Sequence, residues 1–266
     1  MTHLQDRTMD RSTLVRDLRA LGVLPGLVLA VHASLSRLGW VPGGAETVIA
    51  ALMQAVSPGG ALVMLHDRFS PAYPLSAEDR ALGIAWRVRR IPWADLDART
   101  GMGRIADTFA RRPDVARGPQ REHILVAWGL GAGRLCQGWQ GLIDRGGRIL
   151  MLGVRMDRCS ILHRVEQAVA LPPAAARRAF PPIPEAAAAR YPATEWAFGM
   201  QGSGLDFLEV ERAAGAAGLL IRGLVGAAPA ILLDPAPVLD LFAARLRAEP
   251  EAFLYPPDDH TWGGTR

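Results

Sequence analysis

Hydrophobic and polar positions along the chain alternate between helical and strand-like patterns. After Ser12, an expected helix N-cap, leucine and valine recur at helical spacing, which predicts a helix over about residues 13–21. The continuous apolar runs at 26–32 and 61–65 are typical of buried strands, and a helix is predicted between them at about 45–57. This order predicts an α/β fold with a mixed, mostly parallel sheet flanked by helices.

The same two patterns continue toward the C-terminus. Further strands are predicted at 123–128, at 148–154 and as a pair over 219–233, and helices are predicted near 103–111, 160–171, 205–217 and 237–247. Two stretches without sustained periodicity, about 67–100 and 172–203, are expected to be irregular excursions, and the polar tail at about 255–266 is expected to be loosely held. Because no internal repeat or clear linker is present, we expect one domain over residues 1–266.

Composition narrows the class of protein. Half of the residues are hydrophobic and all thirty basic residues are arginine, with a formal net charge of +4, so intrinsic disorder, collagen-like repeats and a disulfide scaffold are excluded. Cys136 and Cys159 form neither a C-x-x-C pair nor a zinc pattern, so we expect no metal and a reducing cytoplasm. The arginines are scattered and no apolar run reaches ~18 residues, which favours neither a nucleic acid nor a membrane as a partner.

The loop after the first predicted strand is one candidate for chemistry. Residues 32–36 leave the end of a parallel strand, where open α/β sheets bind ligands. Gly43 and Gly44 then open a helix whose free N–H groups could hold a phosphate. Neither a G-x-G-x-x-G motif nor a P-loop is present, so an ordinary glycine-containing loop remains the alternative.

A second candidate lies around the fourth predicted strand end, in the cluster Asp157, Cys159, Ser160, His163 and Glu166. His163 and Glu166 are three residues apart, so their side chains can meet on one helix face, and a carboxylate beside an imidazole orients a general base. An ordinary exposed His–Glu pair is the alternative. Cys159 lies near a helix N-terminus four residues before His163, which leaves a covalent thiolate mechanism open as well.

Several segments together resemble one family. Residues 31–48 read VHASLSRLGWVPGGAETV, residues 57–64 read SPGGALVM, and residues 150–166 read LMLGVRMDRCSILHRVE. With 103–117, 224–228 and 238–242, these segments are similar to the aminoglycoside 3-N-acetyltransferases, the antibiotic N-acetyltransferases of the non-GNAT type. The likeness extends over nearly the whole chain.

The resemblance implies an antibiotic N-acetyltransferase-like fold and direct transfer of acetyl from acetyl-CoA to a small-molecule amine, with an aminoglycoside as the first expectation. It implies that His163 is the general base, that Glu166 orients it, and that Asp157 lies near the acceptor. Glu195 could supply one further acidic contact to the acceptor, with an ordinary surface carboxylate as the alternative. A monomer or homodimer is expected. The residues expected to hold acetyl-CoA are His32, Ala33, Ser34, Leu35, Ser36, Gly43, Gly44, Ala45, Thr47 and Ser160.

The chain also departs from the family pattern. Residues 117–121 read RGPQR where the family has an RSAHP motif, and the connection over 129–146 is shorter than the family's. Arg155 and Arg158 flank Asp157, where the family has small residues. Two alternatives therefore stay open. One is the same chemistry on a biosynthetic amine, for instance an anionic amine received by Arg155, Arg158 and Arg121, and the other is a non-catalytic CoA-binding or antibiotic-binding relative.

Overall fold

The structure is a computed structural model that describes residues 8–92, 95, 97–119 and 123–255. Its strands are β1 Val28–Ala33, β2 Ala61–Asp67, β3 Ile84–Arg89, β4 Ala116–Arg117, β5 His123–Gly129, β6 Arg148–Leu152, β7 Trp196–Met200, β8 Leu220–Val225 and β9 Ala228–Leu233. Its α-helices are α1 Arg11–Leu21, α2 Gly44–Val56, α3 Ala77–Ala81, α4 Arg104–Arg111, α5 Ala132–Leu135, α6 Gln140–Asp144, α7 His163–Ala168, α8 Pro173–Ala179, α9 Glu185–Arg190, α10 Phe207–Ala216 and α11 Pro235–Ala248. The prediction for the tail at 256–266 lies outside the described residues.

Among the described residues, seven strands form the main sheet in the order β4-β5-β2-β1-β6-β9-β8. The central strand β1 is parallel to β2 and to β6, and the flanking pairs are antiparallel. The predicted mixed α/β sheet flanked by helices is therefore confirmed, with two parallel and four antiparallel pairs among the described strands, so parallel pairing is less extensive than expected. Its parallel part is the central trio, where the carboxyl ends of three strands lie at one edge.

Each face of the main sheet carries its own apolar layer. Val28 and Ala30 of β1 face a cluster that includes residues of α5 to α8, α10 and α11. Leu29 and Val31, at the alternate positions, face α1, α2 and α4. Because both faces of β1 are covered, its sequence is a continuous apolar run rather than an alternating one.

The first helix begins two residues earlier than the sequence pattern predicts. Asp10, not Ser12, is the N-cap, because the Asp10 carboxylate accepts a hydrogen bond from the backbone N–H of Thr13 at 2.8 Å. The Ser12 hydroxyl also donates to Asp10, at 2.9 Å. The prediction that Ser12 caps the helix is thus wrong, since Ser12 lies inside the first turn and its hydroxyl serves as a donor to the capping aspartate.

The two stretches expected to be irregular contain regular structure. The first holds α3 and β3, the second holds α8, α9 and β7, and β3 pairs antiparallel with β7 in a separate two-stranded sheet. Ile84, Ala187 and Tyr191 form a small buried cluster beneath this sheet. The fully buried Asp79 accepts a hydrogen bond from the Tyr191 hydroxyl at 2.6 Å and joins the two stretches.

Within the described residues, no helix is both long and apolar enough to cross a membrane.

Candidate active site

The two candidate segments of the sequence meet at one edge of the main sheet. His32 and Ala33 at the end of β1 pair with Met151 and Leu152 at the end of β6. The backbone N–H of Ser34 continues the ladder by donating to the Leu152 carbonyl at 2.9 Å. The loop after β1 and the turn after β6 therefore leave the sheet side by side, which is the position where such sheets bind ligands.

The segment that carries the candidate base is less helical than predicted. Instead of one helix over 160–171, Met156–Arg158 and Ser160–Leu162 form two 3-10 turns, and the α-helix α7 spans only His163–Ala168. Ile161 and Leu162 are buried, so this segment is held by packing against the core. The helix ends early because Val169 is extended and two prolines follow at 172 and 173.

His163 and Glu166 form the contact that their spacing predicts. The Nδ1 atom of His163 is hydrogen-bonded to a Glu166 carboxylate oxygen. Glu166 is mostly buried, whereas the His163 side chain is 57% exposed and packs edge-on against the Phe207 ring, with centroids 5.0 Å apart. A carboxylate at Nδ1 favours the tautomer with Nδ1–H, in which Nε2 has the lone pair that can accept a proton.

Asp157 and the flanking arginines form a compact charged turn. The Asp157 carboxylate lies 3.2 Å from Arg158 Nε. Burial raises the pKa of Asp157, and the charges of Arg158 and Arg155 offset part of that rise. Arg155 in turn faces the buried Glu211, with Nε at 3.3 Å. Both arginines thus already face a carboxylate of the chain, which argues against their binding an anionic acceptor. Gln120 and Arg121 lie outside the described residues.

Cys159 has none of the properties of a nucleophile. Its side chain is fully buried, and burial raises the pKa of the thiol to about 12. A thiol of this kind stays protonated at neutral pH and cannot reach a substrate. The covalent alternative built on Cys159 is therefore wrong, because burial outweighs the effect of the neighbouring N–H groups at the start of the 3-10 turn.

The segment expected to hold acetyl-CoA, residues 32–47, contains exposed side-chain hydroxyls and a glycine turn at the start of α2. The hydroxyls of Ser34 and Ser36 lie 3.2 Å apart at the surface, on either side of Leu35. Gly43 and Gly44, at the start of α2, have φ angles of 77° and 58°. A Cβ atom on Gly43 would lie 2.6 Å from the Thr47 hydroxyl, which itself donates to a carbonyl at 2.6 Å, so glycine is needed for this turn.

Two buried histidines at neighbouring strand ends differ in their partners. His66 at the end of β2 lies 3.4 Å from the Asp107 carboxylate. His32 at the end of β1 is stacked with Trp139, and its buried Nε2 has no hydrogen-bond partner among the described residues. Burial lowers the pKa of His32 to about 4, so its imidazole is neutral at physiological pH. An orphaned buried nitrogen beside the loop is compatible with a polar ligand there.

The remaining predicted site residues are distributed unevenly. Ala33 and Ser160 are half-buried at the strand-end edge, and Ala45 is buried in the first turn of α2. Glu195 lies next to β7 on the separate two-stranded sheet, where its exposed carboxylate is 3.4 Å from Arg89. Across the described part of the chain, no group of three or more His, Cys, Asp or Glu side chains could hold a metal ion.

Sequence patterns did not single out Glu211, which contacts the turn next to Asp157. It lies in α10 four residues after Phe207, on the buried face of the helix. A glutamate on an apolar helix face is the signal that could have marked it, since such carboxylates are rarely buried without partners.

Comparison with known proteins places these features in a family context. Residues 30–247 match the family described as aminoglycoside 3-N-acetyltransferase. The chain is 33% identical over 174 residues to aminoglycoside N(3)-acetyltransferase VIII of Streptomyces fradiae, covering 59% of this chain and 60% of that protein. It is 28% identical over 177 residues to aminoglycoside N(3)-acetyltransferase III of Serratia marcescens, covering 60% of this chain and 65% of that protein. The chain thus spans less than two thirds of the length of these curated relatives.

Solved structures resemble the chain over a larger fraction of its length. A structure titled AAC-IIIb binary with CoASH has a TM-score of 0.67 and 25% identity, covering 94% of this chain and 99% of that chain. The apoenzyme structure of aminoglycoside acetyltransferase AAC(3)-IVa, at 23% identity and a TM-score of 0.67, covers 95% of this chain and 94% of that chain and supports the fold alone.

Proposed function

Because the chain belongs to the aminoglycoside 3-N-acetyltransferase family, we propose that it transfers an acetyl group from acetyl-CoA to an amine, with an aminoglycoside as the expected acceptor. The observation that carries this proposal is the hydrogen-bonded His163–Glu166 pair, on the segment that follows β6, beside the loop after β1. The names of the relatives and the CoA-bound neighbour support the same reaction.

His163 acts as the general base in this proposal. Its Nε2 accepts a proton from the attacking amine, while the Glu166 carboxylate holds Nδ1–H and balances the positive charge that forms on the ring. The amine nitrogen bonds to the thioester carbonyl carbon, the carbon–sulfur bond breaks, and CoA leaves as a thiolate that is then protonated. Direct transfer fits this site because the Cys159 thiol is buried. A positioned base contributes on the order of 10²–10⁴-fold to such a step.

Residues of the loop after β1 and of the start of α2 would hold acetyl-CoA, which supplies the activated acetyl group. The hydroxyls of Ser34 and Ser36 and the orphaned Nε2 of His32 offer hydrogen-bonding groups. The backbone at the start of α2 offers N–H groups that suit phosphates. In full, the proposed set is His32, Ala33, Ser34, Leu35, Ser36, Gly43, Gly44, Ala45, Thr47 and, beside the thioester, Ser160.

The acceptor in this proposal is a cationic amine that binds carboxylate side chains of the chain. Asp157, half-buried in the turn after β6, is the carboxylate that we propose for an ammonium group of the acceptor, and Glu195 is a further candidate on the second sheet. An aminoglycoside carries several such groups, so it gains more from a carboxylate than a monoamine does.

A free-thiol assay over a panel of amines tests the proposal. The wild-type chain is mixed with acetyl-CoA and, in turn, with aminoglycosides, a simple monoamine and an amino acid as an anionic amine. We expect thiol release to saturate at a lower concentration of an aminoglycoside than of the monoamine or the amino acid. Fastest release with the anionic amine would favour a biosynthetic acceptor, and calorimetric binding of acetyl-CoA without release on any amine would favour a non-catalytic binding protein.

A further inference from the structure

One face of α10 contacts the segment after β6 at two points, near the candidate base and near the candidate acceptor carboxylate. Phe207 packs against the ring of His163, with centroids 5.0 Å apart. Glu211 accepts a hydrogen bond at 3.1 Å from the backbone N–H of Met156, in the turn that carries Asp157. Since Phe207 and Glu211 are four residues apart, they lie on the same face of the helix. A single helix therefore sets the candidate base and the candidate acceptor carboxylate relative to each other.

Glu211 is a buried carboxylate with several donors around it. Only 3% of the residue is exposed. Arg155 approaches it with Nε at 3.3 Å and Nη2 at 3.4 Å, and Arg222 Nη2 lies at 3.1 Å. Burial alone raises the pKa of Glu211, but the hydrogen bonds from the Met156 N–H and from Arg155 outweigh it and hold the pKa below its usual value. The side chain is therefore an anion at neutral pH.

The charge of Glu211 matters because of where Arg155 lies. The Arg155 side chain is 52% exposed, so a solute can approach its guanidinium from solvent. The charges of both Arg155 and Glu211 reach Asp157, with opposite effects on its ionisation. Without Glu211, Arg155 would present an uncompensated positive charge to an approaching ammonium group and would compete with it for Asp157.

We propose that Glu211 is a positioning residue for the acceptor, which holds the turn that carries Asp157 and neutralises Arg155 so that Asp157 can receive a cationic amine. The proposal rests on the proposed acetyltransferase function. It also explains how a turn that contains two arginines can bind a polycationic substrate, although like charges repel, because Glu211 offsets the charge of Arg155.

The variant Glu211→Gln tests this inference in the full chain. Glutamine keeps the volume and one oxygen for the Met156 N–H but removes the charge. We expect the KM for an aminoglycoside to rise on the order of tenfold and the KM for a monoamine to rise less, while kcat and the KM for acetyl-CoA stay within about twofold. An unchanged aminoglycoside KM in an active enzyme would overturn the inference.

A second substitution separates charge from structure. In the Glu211→Gln background, Arg155→Gln removes the uncompensated charge that acts on Asp157, while Arg222, the other arginine beside residue 211, is kept. We therefore expect the aminoglycoside KM to return toward the wild-type value. A KM that stays high in the double variant would mean that only the shape of the turn was lost, and would overturn the electrostatic role. Where Glu211→Gln alone does not fold, the double variant is compared with Arg155→Gln, and equal aminoglycoside KM values are expected; a several-fold higher KM in the double variant would contradict the proposal.

Glu209→Gln is the matched control, since it removes a carboxylate from the same helix. Glu209 pairs with the exposed Arg212 at 2.6 Å, and we expect its replacement to leave both KM values unchanged. Failure of the inference and failure of the proposed function are distinguishable. If the wild-type chain acetylates no amine, the proposed function fails, and if the wild type is active but Glu211→Gln behaves like Glu209→Gln, only this inference fails.

Discussion

Replacing His163 with alanine removes the proposed base and little else. The His163 side chain is 57% exposed, and its contacts are the hydrogen bond to Glu166 and the edge-on packing against Phe207. Because exposed ion pairs contribute about 0–1 kcal/mol, we expect the free energy of unfolding to fall by roughly 1 kcal/mol or less. The loss of a general base costs about 10²–10⁴-fold in rate, which corresponds to roughly 2.7–5.5 kcal/mol of transition-state stabilisation.

These magnitudes set up a clear assay. Steady-state thiol release with saturating aminoglycoside gives kcat, and calorimetric titration gives the affinity for acetyl-CoA. For His163→Ala we expect kcat to fall by about 10²-fold or more while the dissociation constant for acetyl-CoA changes by less than about threefold. Arg164→Ala is the matched control, because Arg164 lies on the same helix as His163. Its guanidinium donates a hydrogen bond to the Gln140 side chain at 2.9 Å, away from the proposed base. This variant should retain the wild-type kcat.

Two results would refute the reasoning. An unchanged kcat in His163→Ala would remove the residue from the reaction altogether. A loss of acetyl-CoA binding that parallels the loss of kcat would mean that His163 serves binding or folding and not proton transfer, since removal of a base affects the chemical step alone.

Three further changes are expected to affect stability or reactivity. Cys159→Ala should keep the wild-type kcat with about 1 kcal/mol less stability, and rapid inactivation of the native protein by a thiol reagent would contradict the buried position. The pKa of Asp79 is lowered from 3.8 to about 2, because the hydrogen bond from Tyr191 and other donors outweigh the effect of burial. The Asp79 carboxylate therefore adds about 2 kcal/mol to the free energy of unfolding above pH 3.8, and this contribution is lost as the pH falls toward 2. The unfolding free energies of the wild type and Asp79→Asn should converge near pH 2; a constant difference between them over this range would contradict the prediction. Burial lowers the pKa of His32 from 6.5 to about 4. The free energy of unfolding of the wild type should therefore fall by about 3 kcal/mol as the pH is lowered from 6.5 to 4, because the unfolded chain binds a proton that the buried imidazole does not. Denaturant titration should find no such decrease in His32→Leu.

Local sequence patterns predicted the parts of the fold that are buried on both sides. The strands β1, β2 and β6 have continuous apolar runs because helices cover both faces, and this pattern is visible without any knowledge of the neighbours. The His163–Glu166 contact was also predictable, since the two residues are one helical turn apart.

The separate two-stranded sheet could not be predicted in this way. Arg87 and Arg89 interrupt the hydrophobic pattern of β3, and the partner strand β7 lies more than one hundred residues away. The Arg87 guanidinium lies over the rings of Tyr191 and Trp196, at 5.0 and 5.6 Å from their centroids. Aromatic contacts of this kind let an arginine be half-buried, which a local hydrophobicity pattern does not anticipate.

Glu211 shows the same limit at the candidate site. Its partners Arg155 and Met156 are more than fifty residues away, so only the fold brings them together. The N-cap of α1 shows a smaller limit, because Asp10 and Ser12 are both good caps and the pattern alone does not decide between them.

The most direct measurement follows the acetyl group itself. The wild-type chain is mixed with acetyl-CoA that carries an isotopic label in the acetyl group and with an aminoglycoside, and labelled product and free thiol are quantified in the same samples by mass spectrometry and thiol titration. We expect one labelled N-acetyl product for each thiol released. Thiol release without an acetylated amine, or firm binding of acetyl-CoA with no transfer to any amine, would contradict the assignment of this chain as an acetyltransferase.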